Sequence, residues 1–468
     1  MPTPHEYRPA LERTLAEALR YLGDLPQERV AAPLSGAELA SRFRSPLPAE
    51  GTPAPEVLGT LVRDAGPGIM RTSGGRSFAW VIGGTLPGAL AADWMTSVWD
   101  QNAALSACSP AAAAVEAVVG EWLKELLRLP RDASFAVVTG CQMAHFTCLA
   151  SARHQLLAQR GWDVEREGLC GAPRLRVIDV GARHASVDRA LRFLGMGTAC
   201  VTSLRGDSAS LEAVLAEDPE TPTVVLLQAG DIHTGKSDAF ERLIPLAHRY
   251  GAWVHVDGAF GLWAQASAAQ RHHMAGVEAA DSWATDGHKW LNVPFDAGYA
   301  IVAHPRAHRA AMTTSASYID SAERTSEALR EPLDWTPEWS RRARAFSTYA
   351  AIRELGQEGV EEQIDRACRW AAALVEGMGL LPRVEIVSPA VLNQGMIRVR
   401  APNADATPSD HDAATLELVA RLATQGETFV QPSQWKGQTV IRVSVCSWQT
   451  TAEDVRRTLN AVEHALAE

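Results

Sequence analysis

Thr285-Asp286-Gly287-His288-Lys289-Trp290-Leu291-Asn292 sets one lysine in the largely apolar stretch 283–293, directly after a histidine. Burying an ammonium without a chemical reason is costly, because desolvation disfavours its charged form. Thirty-two positions before Lys289, the run His255-Val256-Asp257-Gly258-Ala259 ends an apolar stretch in an acid. A lysine amine holds an aldehyde as a Schiff base, and a buried carboxylate keeps a pyridine nitrogen protonated, so that the ring becomes an electron sink. Lys289 and Asp257 together therefore read as a pyridoxal 5'-phosphate site. Ala259 adds a side chain small enough for a ring to lie against the strand end.

Outward from these residues, short apolar runs alternate with longer amphipathic ones from about residue 104, the pattern of a parallel sheet with crossover helices. Phe135-Ala136-Val137-Val138, Leu175-Arg176-Val177-Ile178, Thr223-Val224-Val225-Leu226-Leu227, Trp253-Val254-His255-Val256 and Tyr299-Ala300-Ile301-Val302 are the strand candidates. Several chemically pointed residues sit just beyond such a run, where ligands gather in open α/β sheets. Leu11, Leu15, Ala18, Leu19 and Leu22 recur at helical spacing, and a Pro/Gly-rich passage with little repeating order covers 33–68. From about residue 356 a helix, a few strands including Ile441-Arg442-Val443-Ser444-Val445, and a closing helix from Thr451 suggest a small α+β domain. The expected division is an N-terminal helical arm for dimerisation over 1–85, a large α/β domain over 86–346 and a small C-terminal domain over 347–468.

The chain of 468 residues carries 44 basic and 55 acidic side chains, a net charge of −11, which argues against a general nucleic-acid or anionic-membrane surface. Seven scattered cysteines, none in a Cys-x-x-Cys pair, indicate neither a disulfide framework nor a metal site and fit a reducing cytoplasm. No stretch approaches the apolar length needed to span a bilayer. A small molecule is the expected partner.

The run 285–294, the Asp257-x-Ala259 turn, His184-Ala185-Ser186-Val187, and Ser340-Arg341-Arg342 ahead of a helix together resemble the group II pyridoxal-dependent amino-acid decarboxylases. The resemblance runs from about residue 73 to the C-terminus. It implies an α/β fold of type I, that of aspartate aminotransferase, with a mainly parallel seven-stranded sheet and helices on both faces. It also implies a homodimer, and decarboxylation of an L-amino acid to its amine and CO2 through a Schiff base on Lys289.

Other residues take their reading from chemistry and resemblance together. His184 follows a strand, and its imidazole is suited to stack on the cofactor ring and assist proton movement; a structural histidine is the plainer alternative. Thr139-Gly140-Cys141-Gln142 joins a strand to a helix, whose N-terminal amides suit a phosphate. The family usually has small hydroxyl residues where this chain has Cys141, Gln142 and Met143. His288 is carried over as a phosphate contact. Tyr318, twenty-nine positions after Lys289 in a polar stretch, matches a lid tyrosine that reprotonates the substrate carbon. Arg442, in mid-strand, suits either a substrate carboxylate or an internal acid. Trp80, Gly83, Gly84, Leu86 and Asn102 fall where the family builds part of its substrate pocket, although Asn and Gly also make ordinary turns.

Rival outcomes on the same platform are an aldehyde synthase, a carbon-carbon lyase and an aminotransferase. A more distant rival comes from Gly230-Asp231-Ile232-His233-Thr234-Gly235-Lys236-Ser237, which matches the P-loop pattern of nucleotide hydrolases. There, Asp231 would repel the phosphate that such a loop has to hold.

Overall fold

The computed structural model describes residues 7–181, 183–204, 208–314 and 330–468. They form two compact units: 83–369 with 390–394, and the N-terminal residues to 82 with 370–389 and 395–468.

The larger unit is built on a seven-stranded sheet: β1 (Ser134–Val138), β2 (Arg176–Asp179), β3 (Val201–Ser203), β4 (Thr223–Gln228), β5 (Trp253–Asp257), β6 (Ser282–Asp286) and β7 (Gly298–Val302). Their order is β1-β7-β6-β5-β4-β2-β3. Only β7 runs antiparallel to its neighbours, and because both β1 and β6 flank it, those two strands point the same way as β5 and β4. The carboxyl ends of β1, β2, β4, β5 and β6 therefore lie along one edge. Every residue of β1, β5, β6 and β7 is buried, as strands covered on both faces require. The short β3 and the strand β6, broken by Ser282, Thr285 and Asp286, carry no long apolar run and escape a reading based on hydrophobic runs alone.

Helix Cys141–Ala158 covers the middle of this sheet. Ala144, Cys148 and Ala152 repeat every four residues along it and pack with Val138, Ala284, Ala300 and Val302 in the core. Small side chains on that stripe let the helix lie close. The turn leading into it is closer still: a Cβ on Gly298 would stand 2.4 Å from the Gly140 Cα, so Gly298 tolerates no larger residue without a backbone shift. Arg341, expected ahead of a helix, is buried. Its guanidinium pairs with buried Glu116 at 2.7 Å, donates to the Ala103 carbonyl at 3.1 Å and also to that of Val137, tying this segment to β1.

The other unit holds helix Tyr7–Asp24 and a four-stranded sheet of β8 (Val384–Val391), β9 (Gln394–Val399), β10 (Gln431–Trp435) and β11 (Gln438–Ser444), in the order β10-β11-β9-β8. Lys436 and Gly437, both at positive φ, make the two-residue hairpin loop between β10 and β11. The passage 33–68, where no repeating pattern was expected, contains helices Gly36–Phe43 and Ala54–Ala65. Ser35 and Glu38 form a capping box on the first, and proline stands in the opening turn of the second, so these local signals outweigh the Pro/Gly content. The helix expected from about 356 begins at Ala345 and runs to Gly379; Gly356, at φ 63°, interrupts it and explains the later expected start.

Candidate active site

Asp257 ends β5 and is 4 % exposed. Its Oδ1 accepts the Ala259 amide at 3.1 Å, the tight turn that a small residue permits. Its Oδ2 has no hydrogen-bond partner; His145 Nε2 stands 3.4 Å away without hydrogen-bond geometry. Burial alone would push this carboxyl up, yet His145, Lys289 and His184 around it more than offset that, and it lies well below the ordinary carboxylate range. Asp257 is a buried anion whose Oδ2 accepts no hydrogen bond within the protein, although His145 Nε2 stands nearby.

Lys289 follows β6 after a turn that local packing dictates. A Cβ on Gly287 would strike the Tyr299 hydroxyl at 2.2 Å, and one on Gly83 would strike the Lys289 carbonyl at 2.1 Å. Asn292, at φ 56°, closes the turn. Its side chain donates to the Trp290 carbonyl at 3.0 Å and accepts the Gly84 amide at 2.6 Å, while its carbonyl accepts the Leu86 amide at 2.9 Å. Gly83, Gly84 and Leu86 thus line the lysine turn.

The Lys289 side chain is 21 % exposed, and its Nζ pairs with Asp286 Oδ2 at 3.0 Å. Burial pulls the amine down, but Asp286, Cys141 and Asp257 together outweigh it and the net shift is upward. Asp286 Oδ1 also accepts the Cys141 amide at 2.6 Å. The helix amide expected for the phosphate is therefore already engaged by an internal carboxylate, for which the sequence reading made no allowance. His288 Nε2 lies 3.6 Å from the same carboxylate, and its Nδ1 accepts the Ala297 amide at 3.2 Å. Burial first, with Lys289 adding to it, lowers the imidazole. Gln142 Nε2 is a buried donor without a hydrogen-bond partner.

Lys289, His288, Asp257, Ala259, Gly140, Cys141 and Gln142 thus share one edge of the sheet. Cys141 links the two acids, its amide on Asp286 and its Sγ 4.0 Å from Asp257 Oδ1. The ligand atoms of Cys141, His145 and Asp257 also lie within 4.8 Å of one another. Burial, then Asp286 and Asp257, raises the Cys141 thiol far above its usual value, which opposes the thiolate a metal needs. His184 is exposed and caps helix Ala185–Phe193, its Nδ1 accepting the Ser186 amide at 3.2 Å.

Asn102 is committed to a turn: its Oδ1 accepts the Ala104 and Arg341 amides at 3.1 and 3.2 Å. Trp80 and Arg442 belong to the other unit, where Arg442 donates to the Trp80 carbonyl at 3.3 Å and the indole lies 5.5 Å from Phe429. Tyr318 lies outside the described residues. The P-loop-like run closes around its own acid. Asp231 Oδ1 accepts the His233 and Thr234 amides at 3.1 and 2.7 Å, and the following helix starts only at Phe240. Those amides are not offered to a phosphate.

His145 and Asp286 are the two groups that sequence reasoning missed. Asp286 stood inside the opening motif, and His145 lies one helical turn after Cys141, a spacing that places both on one helix face.

The family model described as the pyridoxal-dependent decarboxylase conserved domain matches residues 41–399. The chain belongs to the pyridoxal-dependent decarboxylase family. The chain is 25 % identical over 458 residues to an aromatic-L-amino-acid decarboxylase of Bacillus atrophaeus, covering 96 % of this chain and 92 % of that one. To a phenylacetaldehyde synthase of a hybrid rose cultivar it is 23 % identical, covering 96 % and 92 %. The crystal structure of Oryza sativa TDC with PLP and tryptamine superimposes with a TM-score of 0.92 at 23 % identity, covering 99 % of this chain and 98 % of that one. The decarboxylase is a pyridoxal-phosphate-dependent carboxy-lyase of the type I α/β fold. Its residues fit the cofactor where Asp257 presents a buried, unpartnered carboxylate oxygen, and Lys289 lies near enough to feel that charge.

Proposed function

We propose that this decarboxylase converts an L-amino acid to the corresponding amine and CO2, with Lys289 holding the cofactor aldehyde and Asp257 the proton of its ring nitrogen. The cofactor, when bound, supplies an electron-withdrawing ring. Asp257 keeps that ring positive because it is an anion at neutral pH despite its burial, and this is the observation that carries the reading. Lys289 would hold the cofactor aldehyde and, when its amine is free, would stand beside Asp286 as a proton carrier. Gln142 and His288 are assigned to the phosphate, and His184, at the exposed rim, to the ring face. Tyr318 is assigned the proton delivered to the carbon that has lost CO2, as in a lid that excludes water. Gly84, Leu86 and Asn102 are assigned to the substrate pocket.

The protein is proposed to act as a homodimer in the cytoplasm. Leu11, Leu15 and Leu19 form a stripe on helix Tyr7–Asp24 that is 52 %, 49 % and 60 % exposed, the kind of apolar face a second copy covers. The free state of all seven cysteines suits a reducing compartment. The test uses cofactor-loaded protein, whose mass in solution should be that of two chains, and a panel of small, acidic and aromatic L-amino acids. Release of CO2 with an equal amount of amine is expected; aldehyde with ammonia, or a keto acid, defeats the reading.

The Asp286 carboxylate makes loading pH-dependent in a stated direction. The amine must be neutral to attack the aldehyde, and pairing with Asp286 raises its pKa, so association should speed up as pH rises toward that value. In Asp286→Asn the pair is lost, the rise moves to lower pH, and a carboxylate no longer opposes the phosphate. At neutral pH its association rate should exceed that of wild type. Stopped-flow absorbance after mixing apoprotein with the cofactor measures this, and superimposable pH profiles would contradict it.

A further inference from the structure

Beneath Asp257 lies a second set of buried polar groups that the reaction scheme does not use. Trp253, His255 and Asp257 alternate along β5 and so share one face of the sheet, and Ser282 of β6 stands opposite His255 in register. His145 reaches the same place from helix Cys141–Ala158, its ring 5.3 Å from that of His255 and nearly perpendicular to it. His145, His255 and Ser282 are all fully buried.

The contacts run in sequence: Trp253 Nε1 to Ser282 Oγ at 2.9 Å, Ser282 Oγ to His255 Nδ1 at 2.9 Å, His255 Nε2 to His145 Nδ1 at 3.0 Å, and His145 Nε2 to Asp257 Oδ2 at 3.4 Å. An indole N–H can only donate, so it occupies one of the two lone pairs of the serine oxygen. At His255 Nδ1 the direction the relay requires is the serine hydroxyl donating to that nitrogen. Burial, and after it the neighbouring His145, pulls His255 down to about 3, so this ring holds a single proton, which must sit on Nε2. That proton is donated to His145 Nδ1, leaving Nε2 as the protonated nitrogen of His145. Cys148, also packed here, directs its thiol to the Trp283 and Ile301 carbonyls at 3.5 and 3.8 Å.

We infer that Trp253, Ser282, His255 and His145 form a one-way hydrogen-bond relay whose last N–H lies beside Asp257 Oδ2 at 3.4 Å, which makes His145 a positioning residue for the ring-nitrogen partner. The inference rests on the assignment of Asp257 to the cofactor ring, but the direction of the relay does not depend on it. An N–H beside Oδ2 favours the ionised carboxylate and leaves the other lone pairs of that oxygen for the cofactor. The cost of burying an acid here is offset by a donor whose tautomer is locked two residues away, beyond the reach of solvent.

Two spectra test it. In apoprotein carrying 15N-histidine, His145 and His255 should each show a protonated Nε2 and an unprotonated Nδ1, with the His145 signals identified by their loss in His145→Gln. A proton on Nδ1 of either ring overturns the relay. In protein loaded with cofactor 15N-labelled at the ring nitrogen, His145→Met should move the ring signal toward its unprotonated position. Ser282→Ala, which touches neither Asp257 nor the cofactor, should move it the same way by less. His145→Gln, whose amide nitrogen stands near the place of Nε2, should keep the wild-type signal. If Ser282→Ala and His145→Met both leave the ring signal at its wild-type position, the relay is wrong although the cofactor site stands. If wild-type protein takes up no cofactor, the proposed function fails, while the histidine spectrum still decides the relay.

Discussion

Lys289→Ala is expected to release no CO2 above background from any amino acid that the wild-type decarboxylase consumes, and to lack the absorbance near 400 nm, roughly, that a cofactor imine gives. The argument needs two controls, because Lys289 also balances Asp286, which is 2 % exposed. Removing the ammonium leaves that carboxylate with the Cys141 amide and the more distant His288, so a loss of about 1–3 kcal/mol of stability is expected alongside the loss of activity. Lys289→Arg separates the two effects. A guanidinium restores the charge beside Asp286 but is not a nucleophile at neutral pH. Its thermal unfolding should return toward wild type while CO2 release stays at background. An arginine variant with even a hundredth of wild-type turnover would show that the group at 289 acts as a charge and not as the tether for the cofactor.

The division between what the chain reveals by itself and what it conceals follows the range of the interactions. Strands β1, β4, β5 and β7 were legible because each is a continuous apolar run with its ends marked by glycine, aspartate or proline nearby. Asp257 and Lys289 were legible because each sits where a run ends and each would be costly to bury without a task. The pairing of Asp286 with Lys289 was in reach, since three residues separate them, but a turn, not a helix, brings the charges together, and turn geometry is poorly written in residue type. Cys141 on Asp286 and His145 on Asp257 join positions more than a hundred residues apart. Nothing local to either residue signals such a contact; it exists because the helix that follows edge strand β1 packs back across β7, β6 and β5.

Asp257→Asn should be the more informative of the two large losses, because the cofactor can still attach to Lys289. The amide is close in shape to the carboxylate, so the change removes a charge and little volume. Buried hydrogen-bonded charge pairs cost on the order of 2–5 kcal/mol when one partner is neutralised. Because that stabilisation is needed as electrons enter the ring, the same energy should appear in kcat, a fall of roughly 30- to 4000-fold. Absorbance of the bound cofactor should persist, its ring-nitrogen protonation should be lost at neutral pH, and the loss should be partial again at acid pH, where solvent can supply the proton. Acid stability gives a second reading of the same charge. The folded-state pKa of Asp257 is depressed, so its contribution to stability is present above the unfolded value near pH 4, about that of a free aspartate, and is lost as pH falls through the lower folded value. Asp257→Asn has no such contribution to lose. Its stability should therefore decline less steeply than wild type on acidification below about pH 4, measured by denaturant titration at successive pH values. An asparagine variant with unchanged kcat would mean that some other group holds the ring positive, and one with the wild-type acid slope would mean that Asp257 is not the anion its surroundings make it.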